Sequence, residues 1–244
     1  MSPVLLSQSA FVALTHTSSP GFALIAILIV IAIVIVSVVF DKIRSGKIEA
    51  LARSLALTYR RKATEADAAL PVGCHLADLG HDKVVSNILE ATTTPELAFT
   101  IFDYAYTIGY GRGSTNYSQT ISRMQSSLLQ LPGFILFPET FFSKLGDKWA
   151  KQKDINFSDT PVFSESFILR GEDEAAIRAL FTITLRKELE KFPYLSIEGM
   201  GDHVFLFRNN RRLKPEQFSP TIEENKRVLA LFFAAQQAKQ AQTG

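Results

Sequence analysis

Residues 21–40, GFALIAILIVIAIVIVSVVF, carry no charge, and isoleucine occupies every odd position from Ile25 to Ile35. Period two with β-branched residues is the rhythm of a strand. Length overrules it. Strands in globular proteins rarely exceed ~10 residues, whereas a helix of this length rises ~30 Å, the hydrocarbon thickness of a bilayer. The even positions, Ala26, Leu28, Val30, Ala32, Val34 and Val36, are apolar as well, so neither face of a strand would be polar. A helix apolar all round belongs in a core or a membrane. In lipid an unpaired backbone amide costs several kcal/mol, far more than the few tenths per residue lost to the weak helix propensity of Ile and Val. The sequence therefore predicts one transmembrane helix over 21–40, with Gly21, Phe22, Leu28, Ile35 and Phe40 among its anchoring residues. A cleaved signal peptide fits less well. It needs a basic start, an apolar core of ~7–15 residues and a small-residue cleavage site, and the first 40 residues hold no Asp, Glu, Lys or Arg.

Charge then sets the orientation. The N-terminal flank has no base, and the C-terminal flank has Lys42, Arg44, Lys47, Arg53, Arg60, Arg61 and Lys62. The positive-inside rule puts that side in the cytoplasm of an inner membrane, with the N-terminus outside. Those seven bases face two acids over 41–62, while the whole chain has a formal net charge of +2. Outside the flank the chain is therefore slightly acidic, which argues against a nucleic-acid-binding face. The flank itself, with Ile48, Leu51, Leu55 and Tyr59 at helical spacing, predicts a basic juxtamembrane helix over 41–66. Its bases either set topology alone or lie against anionic headgroups. The organisation expected is an extracytoplasmic tail (1–20), the membrane helix (21–40), this basic helix (41–66) and a soluble domain (67–244). A lone cysteine, Cys74, allows no internal disulfide and suits a reducing compartment.

From Val84 the pattern alternates. VVSNILEAT, ELAFTIFDYAYTIGY, YSQTISRMQSS and LPGFILFPE read as strands, followed by a short helix within 140–157, and PVFSESFILRGEDE reads as a strand ending at Gly171. Residues 172–192 read as one amphipathic helix, with acids at its start, bases near its end and Pro193 as a stop. LSIEGMGDHVFLFR reads as a hairpin turning at Gly199 and Gly201, and a last helix begins at Ser219-Pro220. The fold class expected is α+β, a largely antiparallel sheet with helices. A pleckstrin-homology-like curled sheet is one arrangement that fits.

The stretches FDYAYTIGYG, YSQT, LPGFILFPE, DINFSDTPVFSESFILRGEDE, AAIRALF and SIEGMGDHVFLFR follow one another between residues 84 and 208. In order and kind they resemble a family of uncharacterised bacterial single-pass membrane proteins with a cytoplasmic α+β domain. The resemblance implies bacterial origin and membrane anchoring, and brings no activity or catalytic residue.

Catalytic chemistry finds little footing. Gly109, Gly111 and Gly113 would need a helix directly after them to cradle a phosphate, and a Thr/Ser-rich strand follows instead, so a hairpin turn is expected. Cys74, His75 and His81 match no zinc spacing. No serine sits in a GxSxG elbow, and His203 is the only histidine within the strand-rich region. Asp103, inside an apolar strand, needs a cation, for which Arg123 and Arg170 are the candidates. Most of the phenylalanines clustered from Phe134 to Phe167 belong to the core. No catalytic residue, metal or cofactor is expected. The reading is a membrane-anchored, non-enzymatic binding or scaffold module with an unidentified cytoplasmic protein partner. An anionic-lipid surface sensor is the alternative, and an unrecognised enzyme built around Asp103 a third reading.

Overall fold

A computed structural model describes residues 20–94, 97–140 and 152–243. Helix α1 runs unbroken from Pro20 to Ser54. It is long and apolar enough to cross a membrane, and its large side chains from Leu24 to Phe40 are exposed. The end of the same helix lies in the core of the domain, where Ser45, Ile48 and Ala52 are buried. The basic flank is thus part helix and part strand. After three residues the chain turns back into β1 (Thr58–Lys62), which pairs antiparallel with β2. Of the positions at helical spacing, Ile48 and Leu51 lie in α1, which ends at Ser54, and Leu55 lies in the turn after it. Tyr59 then takes its place in a strand, where tertiary pairing outweighs local propensity.

The sheet has eight strands: β1, β2 (His81–Thr94), β3 (Leu97–Ile108), β4 (Thr115–Ser126), β5 (Leu131–Pro138), β6 (Phe167–Gly171), β7 (Ser196–Gly201) and β8 (His203–Phe207). Their order is β1-β2-β3-β4-β8-β7-β5-β6, and every pairing is antiparallel. The sheet is open, with β1 and β6 as edges, rather than closed into a curled barrel. Pro132 sits at the register shift between Leu131 and Phe134, which is how an inner strand tolerates a residue that cannot donate to the ladder.

Helices α2 (Pro161–Ser166), α3 (Glu174–Leu180), α4 (Ile183–Leu189) and α5 (Phe218–Thr243) complete the fold. The strand expected from Pro161 begins only at Phe167; PVFSES is a helical turn that starts on Pro161, a residue suited to the first helical position. The apolar stretch 172–192 is two helices, not one. Asp173 caps α3 by accepting from the Ala176 amide, and Thr182 caps α4 by accepting from the Leu185 amide. A threonine that satisfies a fresh helix start breaks the helix before it. The hairpin β7–β8 turns at Gly201–Asp202, while Gly199 lies mid-strand opposite Val204. The short helix expected within 140–157 falls largely on residues 141–151, outside the described residues, as do Phe141 and Phe142. Phe134, Phe137, Phe157, Phe163 and Phe167 are all buried.

Alternation splits the core across the sheet. On one face Phe99, Ile101, Met124, Phe134, Leu136 and Leu206 meet α3–α5 and the end of α1. On the other, Phe102, Tyr104, Tyr106, Ile121, Phe205 and Phe207 meet the irregular segment 64–80.

Candidate functional site

Three polar or open features stand out against this apolar frame. The first joins α1 to the sheet. A bulge in β2 between Ser86 and Leu89 puts Asn87 at φ 48°, a left-handed conformation that asparagine tolerates. Asn87 then donates to Asp103 Oδ2 at 2.9 Å and accepts from the Tyr59 hydroxyl at 2.8 Å. Asp103 is 3% exposed. Its carboxylate takes both Arg44 Nη1 (2.5 Å) and Nη2 (3.1 Å), and the Thr120 hydroxyl at 2.7 Å. Arg212 reaches the same carboxylate at 3.4 Å and Asp41 at 3.0 Å. Arg44 also donates to the Leu213 carbonyl through Nε and Nη2. The cation for Asp103 is therefore the helix arginine, not Arg123 or Arg170. Arg123 lies opposite Thr100 and donates to Gln125, and Arg170, on the edge strand β6, binds Asp154. With a fork-shaped cation and two neutral donors on it, Asp103 is a structural clamp rather than an acid–base group.

The seven bases of the flank do not share one face. Lys42, Lys47, Arg61 and Lys62 are exposed. Arg44 is committed to Asp103, Arg60 lies between Asp67 and Glu90, and Arg53 pairs with Glu49 one turn back. Arg60, at hydrogen-bond distance, holds the Asp67 carboxyl below its usual range. Of the anchoring residues, Gly21, Leu28, Ile35 and Phe40 lie exposed along the apolar half of α1, and Phe22 lies in its first turn.

The second feature is buried and was not legible in the sequence. Glu198 on β7 faces Cys74 and His75, 124 and 123 residues away. The His75 amide donates to Glu198 Oε2 at 2.7 Å, His75 Nδ1 meets Oε1, and the Cys74 thiol approaches Oε1 at 3.5 Å. The His75 ring packs edge-on against Phe137. The three donor atoms lie within 4.8 Å of one another, a set that could ligate a metal ion. His81 does not join it. The carboxylate already receives three protein donors, which accounts for its burial by hydrogen bonding. Burial, and after it the Glu198 charge, push the Cys74 thiol well above its ordinary range. A thiol so held is a poor nucleophile. Cys74 is therefore expected to resist a thiol reagent such as dithionitrobenzoate in the native chain and to react in full upon unfolding.

The third feature is open. Between the segment 64–80 and strands β2 and β3 lies a groove of ≈ 590 Å³, lined by Lys62, Ala68, Val72, Lys83, Val84 and Tyr104 among others. Its wall is chiefly hydrocarbon. Beside it, at the tip of the β3–β4 hairpin, His81 stacks on Tyr110 with centroids 4.5 Å apart. Its two nitrogens lie 2.9 Å from the Gly109 carbonyl and 2.9 Å from the Asp82 carboxylate. Both partners are acceptors, so both nitrogens donate only when the ring is cationic. The Gly109 carbonyl first, and Asp82 second, raise the His81 pKa above 6.5. The contribution to folding is full below pH ~6.5 and fades as pH rises through the raised value. The protection factors of the amides at 108–114, corrected for the base-catalysed intrinsic exchange rate, should accordingly be highest in mildly acidic buffer and fall towards pH 8. Protection factors that do not change with pH would show that the staple adds nothing. No helix follows Gly109, Gly111 and Gly113; β4 begins at Thr115, and the glycines form the hairpin turn.

No protein-family model matches the chain, and no curated protein matches it. Among solved structures, the fold is similar to the crystal structure of the mycobacterial trehalose monomycolate transport factor A, TtfA. The TM-score is 0.55 at 12% identity, over 79% of this chain and 93% of that one. At that identity the likeness is one of fold alone.

Proposed function

We propose that the chain is a single-pass inner-membrane protein whose cytoplasmic domain acts as an accessory binding module rather than an enzyme. One observation carries the reading: a single helix is both the apolar span and part of the domain core. There is no linker between Phe40 and Ile48 that would let the domain drift from the bilayer. Tethering of this kind raises the effective concentration of a domain at membrane-bound partners. The fold shared with a protein described as a transport factor supports an accessory role, and no nucleophile–base pair emerges from the buried polar groups described above. The partner is a protein at the cytoplasmic face.

Topology is the first test. A cytoplasm-active and a periplasm-active reporter are fused in turn after Lys62, so that the basic flank is kept, and at the C-terminus. Activity of only the cytoplasmic reporter at both sites is the expected result. Activity of the periplasmic one would put the domain outside and overturn the reading. Turnover of esters, phosphoesters or peptides by the purified chain at enzymatic rates would remove its non-catalytic part.

A further inference from the structure

The groove lies at the end of the domain where α1 leaves for the membrane. The Tyr59 hydroxyl, on β1, lies 3.3 Å from the carbonyl of Ser45, fourteen residues back, so β1 runs down beside the helix towards its apolar half. β3 runs the same way, since both are antiparallel to β2. Asp103 on β3 meets Arg44, four residues from Phe40, or ~6 Å along the helix. Past Asp103, β3 continues for five residues to Ile108, about 17 Å along the strand. The groove-lining residues Lys83 to Ser86 sit beside this stretch, with Val84 opposite Ala105 and Val85 opposite Tyr104.

We propose that this groove takes the acyl chain of an anionic amphiphile from the bilayer, an inference that rests on the membrane-anchored reading above. Val72 and Val84, 63% and 55% exposed, lie together on the groove wall, where they offer apolar surface to an alkyl chain. The volume falls within the ~300–1,000 Å³ of small-molecule sites. Tyr104 closes the floor, its hydroxyl donating to the Leu76 carbonyl. The polar groups are as selective as the apolar ones. Lys62 and Lys83 flank the groove, and no acid among the described residues lines it. Lys62 makes no ion pair among the described residues, and Lys83 donates to the Ala77 carbonyl. A carboxylate or phosphate head therefore meets two ammonium groups while its tail lies on valine and alanine. Charge complementarity, the apolar wall and the position at the membrane end select a lipid anion over a soluble one, which would gain nothing from the valines, and over a neutral alkyl chain, which would gain nothing from the lysines.

The test uses the full chain in nanodiscs with a diazirine-bearing palmitate, and maps the photolabelled peptides. Labels are expected in two places, the apolar half of α1 and the stretch 62–86. Ala68→Trp, which fills the groove, should cut the second label about tenfold and leave the first unchanged. Lys62→Glu with Lys83→Glu, surface changes that leave the core untouched, should cut it about fivefold or more. The same pair should leave labelling by the matching long-chain alcohol within about twofold. Labels confined to α1 overturn the groove and keep the anchor. Labels in the groove with none on α1 overturn the anchor instead. A groove label indifferent to both variants, or equal for acid and alcohol, shows adventitious apolar contact only and overturns the proposal.

Discussion

Asp103→Ala is expected to destabilise the domain by about 3–5 kcal/mol, the range for removing one member of a buried charge pair. The loss is large because four donors converge on one carboxylate. Without it the Arg44 guanidinium keeps only the Leu213 carbonyl, Asn87 Nδ2 loses its acceptor, and the Thr120 hydroxyl loses one of its two partners. Asp103→Asn keeps the shape and some hydrogen bonding, and should cost less than the alanine change. Arg44→Ala should cost nearly as much as Asp103→Ala, and the double variant far less than the sum, since each change already removes the shared interaction. Urea unfolding of the full chain in micelles, followed by circular dichroism of the sheet, gives these values. Hydrogen exchange adds the mechanical reading. In the variants, protection at 44–54 should fall with that of β2 and β3, because the clamp ties helix to sheet. Additive effects of Arg44→Ala and Asp103→Ala would mean that the two residues act separately and that the domain is not held through them.

The parts of this fold that were legible are those set by local pattern. Twenty uncharged residues specify a long apolar helix whatever follows them, and strands β2–β5 announce themselves by alternation. The parts that were not legible are those set by distant partners. Asp103 was conspicuous as a carboxylate in an apolar strand, but its cation lies 59 residues upstream on a helix read only as a membrane flank. Tyr59, Arg60, Arg61 and Lys62 look like the continuation of a basic helix, and only the pairing of Tyr59 with Leu89 makes them a strand. Thr182 caps α4, but the apolar period of 172–192 runs through it, so the pattern alone reads as one helix. The Cys74–His75–Glu198 cluster offered none, since spacing rules need ligands near one another in sequence. The groove depends on how segment 64–80 drapes over the sheet, and turn residues mark where such a segment bends without saying what it leaves uncovered.

Phe134→Ala is expected to cost about 3–5 kcal/mol, the range for a large aromatic cut from a close-packed core. Phe134 is 1% exposed. Its ring packs edge-on against Phe181 at 5.0 Å and stacks on Phe232 at 5.6 Å, so it joins the sheet to the end of α3 and to α5 at once. Below it lies Gly199 on β7, directly opposite in the ladder. A Cβ at Gly199 would come within 2.3 Å of Phe134 Cε1, closer than any real carbon contact, so the ring occupies the space a side chain would need. This makes the two positions mutually dependent. Gly199→Ala alone should cost about 1–3 kcal/mol by overpacking. Added to Phe134→Ala it should cost much less, because the added methyl enters space the ring has left. The sign of that coupling is the decisive quantity. If Gly199→Ala is equally costly with and without the ring, the glycine serves the backbone of β7 itself. If the cost disappears, the glycine is there to seat Phe134, and the helical layer is fastened to the sheet through that ring.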